Sequence, residues 1–142
     1  MNGITFQQIS GFVDSDKGVS DVLVTTDGNV HLAIREGLSL DHVAIDASGD
    51  VTREVIHPLG GERKILAKDT QDHLYLAYTY HPKLGENVEE LRFATNKSGE
   101  WEVTTLLAVD GEATDLDMAV DASGVAHLIY TDIVRYDTSV YY

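Results

Sequence analysis

Cysteine is missing from this sequence. That excludes disulfide staples, thiolate nucleophiles and Cys-ligated zinc, and leaves the redox compartment open. Basic residues are scarce. Lys and Arg number 10 against 24 Asp and Glu, a formal net charge of -14, which opposes the phosphate neutralisation that nucleic-acid binding needs. DNA, RNA and anionic membranes are therefore not expected as partners, and the acidity reads first as a solvated surface. No apolar run approaches the ~20 residues that span a bilayer. Met1-Asn2-Gly3-Ile4 has neither a basic n-region nor an apolar h-region, so neither a signal peptide nor a transmembrane helix is expected. The chain reads as soluble, without an assigned compartment. A glycine-rich phosphate loop, a nucleophile elbow and a His-Asp-Ser arrangement are all absent.

What is present is a hairpin and its copies. In residues 91–108, LRFATNKSGEWEVTTLLA, Leu91, Phe93 and Thr95 alternate with Arg92 and Ala94, the period-two pattern of a half-buried strand. Asn96 to Glu100 supply turn chemistry, and Trp101, Val103 and Thr105 resume the alternation on a returning strand. Residues 41–56, DHVAIDASGDVTREVI, repeat this layout with Ser48 and Gly49 at the positions of Ser98 and Gly99. A second hairpin type joins residues 21–25 to 30–36 through Thr26-Asp27-Gly28-Asn29. It recurs at 64–68 with 74–80, and at 116–121 with 126–132 through Ala122-Ser123-Gly124.

Aligning the second strands places His31, Tyr75 and His127 at one position, about 44 and 52 residues apart, a period within the range of repeat architectures. Four antiparallel strands per repeat describe a β-propeller blade. The expectation is an all-β chain forming one domain over 1–142, with blades at approximately 20–57, 62–108 and 114–142. The strand at 4–9 would complete the last blade, whose fourth strand is missing at the C-terminus. Three blades do not close a ring, since propellers typically hold about 4–8. A homodimer forming a six-bladed ring is the expected assembly; a piece of a longer propeller and an open sandwich are the alternatives.

The segments Asp-Ala-Ser-Gly-x-x-His-Leu-x-Tyr at 121–130 and Ala-Thr-Asn-Lys-Ser-Gly-Glu-Trp at 94–101 resemble the sialidase-like or Asp-box-like propeller repeats of bacterial proteins. The likeness runs along nearly the whole chain and is degenerate. Asn96, Gly99 and Trp101 depart from the Ser-x-Asp-x-Gly-x-x-Trp spacing of an Asp-box. For catalysis, the resemblance implies an arginine cluster for a substrate carboxylate, a tyrosine nucleophile and an acidic partner. Arg35, Arg63 and Arg135 are the arginines suitably placed, one per blade, with Tyr80 and Tyr136 as nucleophile candidates.

In a blade the short turns share one face, and the long connections, at 10–20, 35–39, 57–62, 80–88, 109–114 and 132–139, share the other. Binding residues concentrate on loops carried by a rigid scaffold. The candidates for a ligand are Arg35, His57, Arg63, Tyr80, His81, Asp115, Asp132 and Arg135. Their mixed charge suits a glycan or another small polar ligand. No cofactor is implied. Asp21 and Asp117, at matched positions in the first strands, would line a central channel as a weak site for a cation such as calcium, or would bond backbone groups at the strand's entry. Asp14, Asp16 and Asp21 follow the alternation of a calcium loop but lack its bidentate Glu. His31 and His127 read as a packing or hydrogen-bonding position, because Tyr75 fills the third copy. The expected function is non-catalytic binding or scaffolding. The alternatives are a propeller-type glycoside hydrolase or lyase, and a purely structural piece of a longer repeat protein.

Overall fold

Period-two patterning and Gly- or Asp-bearing turns leave the chain one cheap way to pair its backbone, each strand against the next in sequence. The structure, a computed structural model, describes residues 19–82, 88–134 and 137–141. It has β1 (Val19–Val24), β2 (Val30–Glu36), β3 (Ser39–Ile45) and β4 (Val51–His57) in one antiparallel sheet, ordered as in the sequence. A second sheet repeats the meander with β5 (Lys64–Lys68), β6 (Leu74–Tyr80), β7 (Val88–Thr95) and β8 (Glu102–Asp110). β9 (Glu112–Val120), β10 (Ala126–Val134) and β11 (Asp137–Tyr141) form a third sheet of three strands. None of the sheets closes on itself, and among the described residues there is no helix. The expected strand at 4–9 lies outside the described residues.

One turn geometry serves five hairpins. Gly28, Gly49, Asp72, Gly99 and Gly124 have positive φ, and each donates its N–H to the carbonyl three residues earlier, at 2.8–3.2 Å. Glycine suits that position because it has no Cβ to clash, and Asp72, at φ 65, is the one side chain that tolerates it here. An aspartate at the first turn position locks three of the five. Asp46 Oδ1 accepts from the N–H of Ser48 and Asp50, Asp69 Oδ1 from Gln71 and His73, and Asp121 Oδ1 from Ser123 and Val125, all at 2.8–3.0 Å.

The shared second-strand position is a structural hydrogen bond in every copy. His31 Nε2 lies 3.2 Å from Thr25 Oγ1, the Tyr75 hydroxyl donates to Asp69 Oδ2 at 3.1 Å, and His127 Nε2 lies 3.0 Å from Asp121 Oδ2. Each ties the second strand to the start of its own hairpin turn. Asp69 also bonds the His73 ring. Burial alone would raise the Asp69 carboxyl; these hydrogen bonds outweigh it and hold the group down at about 2.

The sheets stack through their faces, with β1 lying against β5 and β5 against β9. Leu23, Ala33, Leu40 and Ile56 of the first sheet meet Leu66, Leu76, Tyr78 and Ala94 of the second. The opposite face of the second sheet, through Ala67, Tyr75 and Ala77, meets Met118, Leu116 and Leu128 of the third. A separate cluster, Leu32, Ile34, Val43 and Ile45, lies on the far face of the first sheet.

Two expectations need correcting. Three of the connections anticipated as long loops are short: β2 turns into β3 through Gly37 and Leu38 alone, only Gly111 separates β8 from β9, and β10 reaches Val134 with β11 starting at Asp137. Polar and glycine residues there are strand ends rather than loops, because neighbouring backbone pairing extends through them. Apolar residues of both parities in the first strands, Leu23, Ala67 and Ala119 on one side and Val22, Leu66 and Met118 on the other, predict burial on both faces. That holds for β5, where Leu66 and Ala67 are both buried, but Val22 and Val24 of β1 are 60% and 54% exposed. In β9, Asp117 and Ala119 are exposed too. The outer faces of the first and third sheets have no neighbouring sheet among the described residues.

Candidate functional site

The remaining long connections, residues 58–63 and the start of the β6–β7 link, meet the Gly37-Leu38 turn at one end of the stack. Between them is a cleft of about 340 Å³ between the first and second sheets. It is lined by Arg35, Leu38, Leu59, Gly60, Gly61, Glu62, Thr79, Tyr80, His81 and Pro82. The volume falls at the lower end of small-ligand pockets. Its floor is backbone. Gly60 donates its N–H to Leu38 O at 2.7 Å and Gly61 to Thr79 O at 2.9 Å, so this pair stitches the two sheets together. At Gly61, with φ +77, an added Cβ would fall 2.9 Å from Leu40 Cδ1, so the close approach requires glycine.

Three of the predicted site residues line this cleft. Arg35 sits at the rim and pairs with Glu62 at 3.2 Å; Tyr80, at the end of β6, forms the wall; His81 lies 3.5 Å from the buried carboxylate of Glu89. His57, at the end of β4, is next to it. Arg92 Nη1 lies 2.7 Å from His57 Nε2, and because a guanidinium only donates, that ring nitrogen accepts and the imidazole proton sits on Nδ1, facing the Leu59 carbonyl. The same guanidinium lies 3.9 Å over the Tyr80 ring and is held by Glu90 at 2.8 Å. Arg92 thus fixes the rotamers of both His57 and Tyr80. Burial raises the Tyr78 phenol beneath them, and Arg92 partly offsets that.

The other predicted residues are elsewhere. Arg63 pairs with Glu112 at 2.9 Å across the second and third sheets. Asp115 and Asp132, expected in loops, are in β9 and β10: Asp115 accepts from the Thr131 hydroxyl at 3.3 Å on an exposed face, and Asp132 is buried opposite Ala113. Arg135 and Tyr136 lie outside the described residues. Asp21 uses one carboxylate oxygen to accept the N–H of Leu66 at 3.0 Å, the second of the two roles weighed for it. Among the described residues no group of three or more His, Asp or Glu side chains is arranged to hold a metal ion.

Sequence reasoning missed Leu38 and Leu59, which are 62% and 46% exposed at the mouth of the cleft, and the Arg92–Glu90 pair behind its wall. The leucines carried a signal, since each is an isolated apolar residue in a turn next to glycine. Arg92 carried none, because its alternation in β7 reads as an ordinary solvent-facing position. Comparison with protein-family models, with curated proteins and with solved structures finds no match to this chain.

Proposed function

We propose that this chain is a non-catalytic binding module, half of a six-bladed β-propeller completed by a second copy, that takes a small polar ligand such as a sugar in the cleft between its first two sheets. The observation that carries the reading is the make-up of that cleft. Exposed Leu38 and Leu59 and the Tyr80 ring offer apolar and aromatic surface, while Arg35, Glu62 and His81 offer donors and acceptors at the rim. A pyranose has the same division, one apolar face and a polar edge. The ring assembly is supported by the in-order four-stranded meanders, by the inner strands β1, β5 and β9 lying side by side, and by the exposed apolar residues Ile129 and Val140 on the outward face of the third sheet.

Hydrolysis is the weaker reading. A sialidase-like enzyme needs its arginines on one carboxylate, but Arg35 and Arg63 are each committed to a different partner, Glu62 and Glu112. Tyr80, the nucleophile candidate among the described residues, lies beneath the Arg92 guanidinium. The test is backbone amide NMR with a panel of neutral and acidic mono- and oligosaccharides. Binding should move the signals of residues 35–38, 59–62 and 79–82, Tyr80→Ala should weaken it at least tenfold, and no sugar should be turned over. Shifts confined to other residues would remove the cleft from consideration, and released product would make the chain an enzyme.

A further inference from the structure

Three open sheets have two edges each, and a strand at an edge turns a row of backbone N–H and C=O groups away from its neighbour. Proteins guard such strands with charge or by keeping them short. Among the described residues, every edge but one is guarded in this way. β1 contains Asp21, β9 contains Asp115 and Asp117, and β4 carries Arg53 and Glu54 near its centre. β5 and β11 are five residues long, and Asp21 takes up the N–H of Leu66 in β5. β8 is the exception. Between Glu102 and Asp110 it runs from Val103 to Val109 with no charge, no proline and no glycine.

That run is also open. Residues 102–108 are all exposed, with Val103 at 38%, Leu106 at 46% and Leu107 at 36%. On one side β8 pairs with β7, from Glu102 opposite Thr95 to Asp110 opposite Val88. On the other side it has no strand, and among the described residues no backbone bond beyond the β7 ladder reaches it. A bulge adds Leu106 between the pairs Arg92–Thr105 and Leu91–Leu107. Bulges at sheet edges re-aim side chains, and here two adjacent leucines reach water. An uncharged, β-prone segment of this kind on an open edge is a template for another strand. No residue of β8 lines the cleft between the first two sheets, so this edge is separate from it.

Charge decides which strand fits. Glu100 and Glu102 are exposed at one end, Asp110 closes the other, and the whole chain has a formal net charge of -14. A second copy of β8 laid antiparallel on the first would set Glu102 beside Asp110 at both ends, acid against acid. A strand with basic ends meets the opposite charge at each, whichever way it runs. We infer that β8 is a docking edge for an extended segment of a partner protein, about five to seven residues with an uncharged, β-branched middle and Lys or Arg at each end. The segment adds to the second sheet beyond β8, the open end of the order β5-β6-β7-β8. Main-chain hydrogen bonds supply the affinity, Leu106 and Leu107 pack on the segment's side chains, and the acids at the ends of β8 select its basic ends.

The probe is a synthetic peptide, acetyl-Lys-Val-Thr-Val-Thr-Val-Lys-amide, titrated into the full chain and followed by backbone amide NMR. Two control peptides are used: one with Glu at both ends, and one with every Val and Thr nitrogen methylated, which keeps the charge and removes the ladder donors. The lysine peptide should move the signals of residues 102–109, and the glutamate and methylated peptides should bind there at least tenfold more weakly. In variants shown to be folded by far-ultraviolet circular dichroism, Leu106→Lys should weaken the lysine peptide at least tenfold. Glu102→Gln should weaken it about 2- to 5-fold, the scale of one exposed charge pair. Equal binding of the lysine and methylated peptides would mean charge attraction without strand addition, and equal binding of the lysine and glutamate peptides would remove the basic partner; either overturns the inference. Unmoved signals at 102–109 overturn it as well. If Leu106→Lys does not fold, the methylated peptide, which needs no variant, decides. Sedimentation of the chain alone tests the six-bladed ring separately, with a dimer near twice 15.6 kDa expected and a monomer sinking the ring. A dimer that excludes the lysine peptide until it is diluted to monomer would place a second copy on β8 and overturn the inference.

Discussion

Burial between the first two sheets, and secondly the His31 ring, hold His42 down at about 4, well below an ordinary imidazole. Its Nε2 lies 2.9 Å from His31 Nδ1, the two rings stack at 5.2 Å, and Trp101 packs edge-on against it at 5.3 Å. Between roughly pH 6.5 and 4 the unfolded chain binds a proton at this residue that the folded chain refuses, so stability falls as the pH falls through that window. The shift corresponds to a loss on the order of 3 kcal/mol at most. Thermal unfolding followed by Trp101 fluorescence should show the melting temperature dropping from pH 7 to pH 4.5, and His42→Gln should flatten that slope. An unchanged slope in the variant would mean that acid acts elsewhere. Asp69 and Asp72, both held near 2, do not contribute in this window, because their stabilising effect is lost only below about pH 4.

At the scale of strands, the junctions between sheets differ in kind. Glu89 is 1% exposed, and its Oε2 accepts the N–H of Ala113 across the second and third sheets. Glu89→Ala would strand that buried N–H, a cost of about 1–3 kcal/mol. Arg63→Ala removes only the exposed pair with Glu112 and should cost about 0–1 kcal/mol. Urea unfolding of the two variants checks the ordering; equal losses would show that the buried carboxylate is not the tie. The hairpins around these junctions could be read from the sequence because turn chemistry is local: Ser48-Gly49, Ser98-Gly99 and Ser123-Gly124 all fold as their residues dictate. The connections at 109–114 and 132–139 could not. Whether a polar stretch continues a strand depends on the neighbour that pairs with it, and for Glu112 that neighbour is Ile133, at the far end of the next strand. The cleft was half legible for the same reason. Arg35, Tyr80 and His81 stood out as polar or aromatic loop residues, whereas the role of Arg92 depends on β7 placing it beside β4.

Over the whole molecule, as far as the described residues go, every strand pairs with the strand before or after it in the sequence. Adjacent sheets communicate through side-chain faces and a few bonds such as Leu66 N–H to Asp21. Such a stack behaves as a row of units coupled to their nearest neighbours. Among the described residues only the second sheet has sheets packed on both faces, and in β6 the six residues from Leu74 to Thr79 are all buried. In amide hydrogen exchange, β6 should therefore hold its protons longest, and β4 and β10 should release theirs earlier through partial openings that leave the middle intact. Uniform protection across the three sheets would instead mean that the stack opens only as one unit. The fully enclosed β6 thus sets a kinetic order on the molecule, an interior that outlasts both of its flanks.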